Sequence, residues 1–222
     1  MGQVVKIISI EHLTHDVIRI VAEKPEALTY TPGQAVDISI NKKGWEHELR
    51  AFTFTSLPED EHIEFTVKTY PSRQSVTQQL TSLNKGDELI VHDVFGDIHY
   101  KGEGIFIAGG AGVTPFLAIL KQLEKTHHVG HNKLIFANKT KADIILEDKF
   151  HKLLGNNFIN ILSEEDHAGY ERGYITSDLI KKYTDEQTQY FYLCGPEPMM
   201  EAVEKHFSTL GITDDFIVKE AF

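Results

Sequence analysis

The chain has little that would hold a fold together by covalent or metal chemistry. Its 222 residues contain one cysteine, Cys194, which excludes an internal disulfide and also a zinc cluster or cysteine-ligated iron–sulfur centre carried by this chain. The 12 histidines are scattered without the spacing of a metal site, and His127-His128 reads as solvated loop, so no metal is expected. Basic charge is scarce as well. With 22 Lys+Arg against 33 Asp+Glu the formal net charge is −11, and no basic block or aromatic-basic ladder occurs, which argues against nucleic acid. No apolar run approaches membrane length, the first eight residues lack a signal-peptide layout, and Lys6 stands where a myristoylation signal needs serine or threonine. The expectation is a cytoplasmic protein with no membrane attachment, read as a monomer. Core material is ample: 41% hydrophobic and 25% charged residues suffice for one large or two small domains.

The chain changes rhythm near residue 102. Before it, segments 4–10, 17–21, 35–40, 51–55, 63–68 and 88–91 are short, β-branched and separated by turn residues, which predicts a six-stranded antiparallel β-barrel. One helical piece, 75–83, interrupts them. Beyond Gly102, strands at 105–108, 133–137, 158–162, 190–194 and 215–219 alternate with helices at 115–125, 144–154, 176–183 and 197–210. That alternation predicts an α/β domain with a doubly wound parallel sheet. The expected domains are residues 1–101 and 102–222.

Where the second domain starts, an apolar run over residues 105–109 leads into Gly110-Ala111-Gly112-Val113-Thr114-Pro115-Phe116. A buried strand, a glycine turn and a helix start are expected, with Thr114 as cap and Pro115 at the first helical position, where its missing N–H costs nothing. Bare N–H groups at a helix start suit a phosphate, although plain strand-to-helix turns use the same residues. Proline replaces the third glycine of the common dinucleotide fingerprint, and no Gly-Lys-Ser/Thr follows, which excludes a triphosphate loop.

Gly110, Gly112, Val113, Pro115 and Phe116 match Gly-x-Gly-Ile/Val-x-Pro-Phe, and the stretch resembles the NAD(P)H-binding turn of the ferredoxin–NADP reductase family. The barrel-then-sheet order matches that architecture along the whole chain. Further stretches carry the resemblance. Arg50-Ala51-Phe52-Thr53-Phe54-Thr55-Ser56 looks like the flavin motif Arg-x-Tyr/Phe-Ser/Thr-x-x-Ser, which implies Arg50 on the FAD pyrophosphate, Phe52 against the flavin and Thr53 near flavin N5. Val67-Lys68-Thr69 followed by Ser75-Val76-Thr77 is similar to a second FAD-contacting stretch, although the usual loop glycine is replaced around Gln74; Arg73 offers a second cation. Asp93-Val94-Phe95-Gly96 resembles the family's turn between the domains. Tyr192-Leu193-Cys194-Gly195-Pro196-Glu197-Pro198-Met199 resembles Cys-Gly-Pro-x-x-Met, which implies Cys194, Gly195, Pro196 and Met199 beside the nicotinamide, with Cys194 a small polarizable neighbour and not a nucleophile. Phe222 at the C-terminus would cover the flavin and Glu220 would be the acidic group near it.

The resemblance implies FAD and NADH or NADPH as cofactors. NADP-specific relatives bind the 2′-phosphate through a Ser-Arg pair; here Ser163 precedes Glu164-Glu165-Asp166, which favours NADH, while Arg172 and Tyr174 occupy later positions of the phosphate site. The implied activity passes a hydride from NAD(P)H to FAD and then electrons to a diffusible carrier, flavodoxin or ferredoxin. A flavin reductase and the reductase component of a multicomponent oxygenase remain open, as does a nucleotide-binding regulatory module without turnover. A subunit of the dihydroorotate dehydrogenase type is disfavoured, since it carries a cysteine cluster that this chain lacks.

Overall fold

The computed structural model describes residues 2–70 and 75–220, which form two six-stranded sheets. The first contains β1 (Gln3–His12), β2 (Val17–Glu23), β3 (Ala35–Ile40), β4 (Arg50–Thr53), β5 (His62–Lys68) and β6 (Glu88–Phe95). They pair in the order β4-β3-β6-β1-β2-β5, all antiparallel. The two end strands then meet. Phe54, just past β4, bridges Phe65 of β5, and the Thr55 N–H donates to the Glu64 carbonyl at 2.7 Å, so the sheet closes into a barrel. Every second residue faces inward: Val5 and Ile7, Ile18, Ile20 and Ala22, Val36 and Ile38, Ile63, Phe65 and Val67, and Leu89 and Val91 fill one core with Phe54. Register shifts at Ile7/Ser9 and Val36/Ile38 bend two strands as closure requires.

The second sheet is built from β7 (Gly104–Gly109), β8 (Lys133–Asn138), β9 (Phe158–Leu162), β10 (Glu171–Arg172), β11 (Tyr190–Cys194) and β12 (Ile217–Lys219), ordered β10-β9-β8-β7-β11-β12 and parallel throughout. Both faces are covered, which is why β7 and β9 are apolar along their whole length. Phe106, Leu134, Phe136, Leu162 and Tyr192 pack under α2 (Thr114–Lys125) and α3 (Glu147–Leu154). Ile105, Ile107, Ile135, Ile161 and Leu193 pack under α4 (Ser177–Tyr183) and α5 (Glu197–Thr209). Val17 of the barrel and Ile98 join the first of these clusters, so the barrel leans on the same face as α2 and α3. The connection is pinned at its end: the Tyr192 hydroxyl accepts from the Lys101 and Gly102 N–H groups (2.9 and 3.1 Å) and donates to the Gly102 carbonyl (2.8 Å).

Several boundaries differ from expectation, each for a local reason. The barrel helix is α1 (Val76–Leu80), shorter at both ends, because Ser75 caps it by accepting from the Gln78 N–H. Helix α3 starts at Glu147 and not at 144, because Leu146 is left-handed (φ 53°) after a 3-10 turn over Lys141–Asp143. Strand β12 starts at Ile217, since Asp214–Phe216 form a 3-10 turn. Residues 93–95 are not a turn but the end of β6; the chain turns only at Gly96, whose φ of +112° asks for glycine. The two-residue β10 escaped sequence reading because so short a strand has no periodicity.

Candidate functional site

The chain winds outward from β7 through β8 and β9 on one side and through β11 and β12 on the other. The connections leaving β7 and β11 therefore run to opposite faces of the sheet, to α2 and to α5, which makes their carboxyl ends the switch point where open α/β sheets bind ligands. Both glycine turns lie there. After Gly109 the backbone enters a 3-10 turn, Gly110–Val113, that runs straight into α2. Gly110 holds φ +51°, and a methyl group on it would meet nothing within 4 Å, so its outer side is open space bordered by backbone. Gly112 does something different: a Cβ on it would lie 2.3 Å from the Cys194 carbonyl oxygen and 2.6 Å from the Gly195 Cα. It is glycine because the two turns touch. Gly109 is matched in the same way, its missing side chain leaving room for Met199 and Pro196.

One expectation fails here. Thr114 is the first residue of α2 and not its cap; Val113 holds the cap position, and the Thr114 hydroxyl donates back to the Ala111 carbonyl at 2.9 Å. The turn is already helical, so the unpaired N–H groups lie one turn earlier, around Gly110 to Gly112. Val113, Thr114 and Pro115 are buried behind them.

Across the crevice, Cys194 ends β11 opposite Ala108 and is buried. Burial, with a contribution from the Glu220 charge, pushes its thiol up to about 12, which disfavours the nucleophilic thiolate. Glu220 follows β12 and reaches the barrel. Its carboxylate sits where a side chain on Gly96 would be, 3.1 to 3.2 Å from that Cβ position. Burial raises its pKa even though the Asp97 N–H donates to it. Among the described residues its Oε2 is buried without a hydrogen-bond partner. Phe222 lies outside the described residues.

On the barrel side, Arg50, Ala51, Phe52 and Thr53 make up β4. Arg50 is exposed and borders a groove of about 910 Å³ with Trp45, Leu49 and, from the far wall, Ser75, Val76 and Gln79 of the α1 region. A guanidinium facing the capped end of a short helix across a groove suits a phosphate-bearing ligand. Ser75 and Thr77 join hydroxyls at 3.0 Å, and Val76 is buried beneath them. Phe52 is half-buried, its ring 6.3 Å from Phe65, and Thr53 is buried beside Ala35. The second stretch fits less directly. Val67 points into the barrel core, and Lys68 is engaged by Asp16 at 2.8 Å, while Thr69 hydrogen-bonds the Asp16 carbonyl. Arg73 and Gln74 lie outside the described residues.

At the sheet edge, Ser163 follows β9 and is held by its N–H to the Asn138 carbonyl at 3.0 Å. The acidic run expected to repel a phosphate already has partners: Glu164 meets Lys139 at 3.1 Å, Asp166 meets Arg172 at 3.2 Å, and Glu165 accepts from the Lys141 N–H at 2.7 Å. Tyr174 stands 80% exposed beside them, a flat surface open to a ligand. Two features had no sequence signal. Gly96 meets Glu220 only because the domains fold together, and His15, Asp16 and Asp143 converge from both domains, the carboxylates being bound by Lys68 and by the Thr140 hydroxyl (2.7 Å).

Residues 3–133 match the model of an FAD-binding domain and residues 106–205 that of an oxidoreductase NAD-binding domain. The chain belongs to the ferredoxin–NADP reductase family. Among curated proteins, it is 27% identical over 98% of its length to the propane 2-monooxygenase reductase component of Rhodococcus jostii (strain RHA1), covering 62% of that protein. It is 30% identical over 82% of its length to NADH-cytochrome b5 reductase 1 of Aspergillus terreus (strain NIH 2624 / FGSC A1156), covering 67% of that one. The chain spans about half to two thirds of the length of the curated relatives it matches. The fold superposes on a ferredoxin NADP+ reductase from Neisseria gonorrhoeae with bound FAD and NADP at a TM-score of 0.84, with 18% identity, covering 99% of this chain and 98% of that one.

Membership of the ferredoxin–NADP reductase family makes sense of the open features. The groove beside Arg50 has a cation and a largely polar lining that suit a phosphate-bearing ligand, and Gly110 opens onto free space where β7 runs into α2. Glu220 lies against Gly96 of the barrel, and its charge reaches Cys194 of the second domain. Among the described residues, no helix is long and apolar enough to cross a membrane.

Proposed function

We propose that the chain is an FAD-dependent NAD(P)H oxidoreductase that takes a hydride from nicotinamide and delivers electrons to a carrier. The observation that carries this reading is the meeting of three elements at one junction: the Gly110–Gly112 turn, Cys194, and Glu220 against Gly96 of the barrel. Bound FAD would supply the conversion of a two-electron hydride into single electrons. The chain's own residues position the reactants. Arg50 and the Ser75–Thr77 hydroxyls hold the FAD phosphates, Phe52 supports the ring system, and Thr53 presents a hydroxyl at the barrel end. Gly110 to Gly112 receive the nicotinamide pyrophosphate, Cys194 offers a neutral, polarizable surface, and Glu220 accepts a hydrogen bond at the reacting end. The two functions divide between residues 1–101 and 102–222.

The acceptor is a diffusible electron-transfer protein of the flavodoxin or ferredoxin kind, or an oxygenase component. Relatives named as the reductase component of propane 2-monooxygenase and the electron transfer component of toluate 1,2-dioxygenase support the last. NADH is the favoured coenzyme, but the Lys139–Glu164 and Arg172–Asp166 pairs neutralise much of the acidic run, so the discrimination against NADPH is modest. The setting is cytoplasmic, where the nicotinamide pool is. An anaerobic visible spectrum of the FAD-loaded protein, followed during stepwise addition of NADH and separately NADPH, tests the reading. Bleaching of the flavin bands is expected, faster with NADH. A protein that neither holds FAD nor is reduced by either coenzyme would refute it.

A further inference from the structure

The domain junction contains an ionic cluster of Arg19, Glu64 and Lys121, none of which belongs to a nucleotide motif. Glu64 lies on the outer face of β5, where the barrel alternation should leave it in water, yet its side chain is only 11% exposed because α2 lies across it. It accepts from four donors: Arg19 Nε at 2.6 Å and its second guanidinium nitrogen at 2.5 Å, the Thr55 hydroxyl at 2.9 Å, and Lys121 Nζ at 2.8 Å. Lys121 also donates to the Thr55 carbonyl and is 19% exposed. Arg19, Glu64 and Thr55 belong to the barrel and Lys121 to α2, so the cluster crosses the domain boundary.

Its position is specific. Thr55 and Glu64 form the seam at which the barrel closes, beside the Phe54–Phe65 bridge. Thr55 lies two residues, about 7 Å of strand, beyond Thr53. Lys121 lies seven residues, about 10 Å of helix, beyond Thr114, where α2 leaves the glycine turn. The cluster thus ties the helix that continues the glycine turn to the seam that continues the barrel strand β4. One turn further along α2, Lys125 meets Glu59 at 2.8 Å, but both side chains are about half exposed, so that pair fixes little.

We infer that the Glu64–Lys121 pair is a positioning device that sets the nicotinamide turn against the flavin strand, with Lys121 as a positioning residue for hydride transfer. The inference rests on the proposed FAD and NAD(P)H chemistry. A shift of α2 by about 1 Å would leave both cofactors bound and still spoil the approach of the reacting atoms, which is how remote substitutions slow a reaction by large factors.

Stopped-flow reduction of the FAD-loaded protein by NADH, with NADPH alongside, tests it in the wild type and in Lys121→Met, Glu64→Gln and Lys121→Arg. Lys121→Met leaves Glu64 paired with Arg19 inside the barrel, so it carries the test if Glu64→Gln fails to fold. The expected result for Lys121→Met is a limiting reduction rate lower by about tenfold or more and a weaker long-wavelength charge-transfer absorbance, with FAD content and nucleotide affinity within about twofold of wild type. Lys121→Arg, which keeps the charge, should restore most of the rate. An unchanged rate in Lys121→Met overturns the inference, and so does loss of FAD or of fold, which would make the lysine a structural residue only. A wild-type flavin that neither coenzyme reduces would instead refute the underlying chemistry, and the positioning role with it.

Discussion

Substituting Gly112 by alanine puts the contact between the two cofactor turns to a quantitative test. The added methyl would stand 2.3 Å from the Cys194 carbonyl oxygen, 2.5 Å from its carbon and 2.6 Å from the Gly195 Cα. Ordinary contact distances are about 3.5 Å, so the shortfall is roughly 1 Å and must be made up by moving backbone, because none of these atoms belongs to a flexible side chain. Overpacking that cannot relax through rotamers lies at the upper end of its usual range, about 3 kcal/mol. At about 2–4 °C per kcal/mol for a chain of this size, the melting temperature should fall by about 6–12 °C. The same movement parts the ends of β7 and β11, so NAD(P) affinity should fall with it. Gly110→Ala provides the contrast. Its methyl would enter open space, and only the left-handed φ of +51° opposes it, at about 1–2 kcal/mol. That variant should melt closer to wild type yet bind nucleotide poorly, because the methyl stands in the open space proposed for the pyrophosphate. Differential scanning fluorimetry and a nucleotide titration on both variants decide the matter. A Gly112→Ala protein that matched wild type in melting temperature and affinity would refute the close approach of the two turns.

Further outcomes are expected. Arg50→Ala should purify folded but with FAD affinity lower by about tenfold or more, the scale of a lost charge-assisted hydrogen bond, measured as flavin content after gel filtration; full retention would remove Arg50 from the site. Cys194 should resist alkylation at about pH 8 in the folded protein and react once denaturant is added, since burial keeps its thiol protonated; rapid labelling without denaturant would contradict that environment. Burial raises the pKa of Glu64, but Lys121 and Arg19 outweigh it and hold the carboxyl below its ordinary value. Its folded-state value being depressed, the group stabilises the fold above an unfolded pKa of about 4.3, and that contribution is lost as pH falls through the folded value. Thermal melts should therefore be flat near neutrality and drop below about pH 4, with Glu64→Gln less stable at neutral pH and less sensitive to acid. An identical acid response in wild type and variant would refute the assignment.

Much of the molecule can be read from local patterns. Period-two alternation marks the barrel strands, continuous apolar runs mark β7 and β9, and glycine and proline mark the turns after β7 and β11, because each of these signals is a constraint on one segment and its own burial. The motif residues Arg50, Gly110, Gly112 and Cys194 stood out for the same reason: a tight turn, or the phosphate contact proposed for Arg50, would restrict residue type at a fixed spacing. Sequence could not say what each restriction was for. Gly110 and Gly112 look alike in the chain, yet one faces open space and the other the carbonyl of Cys194, a difference set by a strand more than eighty residues away. Lys68 matched a cofactor pattern and is bound to Asp16, and in the acidic run after Ser163, read as repelling a phosphate, Glu164 pairs with Lys139 and Asp166 with Arg172. Glu64 carries no mark of its own in the sequence, yet it is buried at the domain junction beside Lys121 of α2. The sequence by itself determined the elements, their order and the places where backbone must turn tightly, since those depend on neighbours along the chain. Only the tertiary structure decided which charges are spent on one another and which atoms are left for a ligand, because Coulomb and packing energies depend on distance in space.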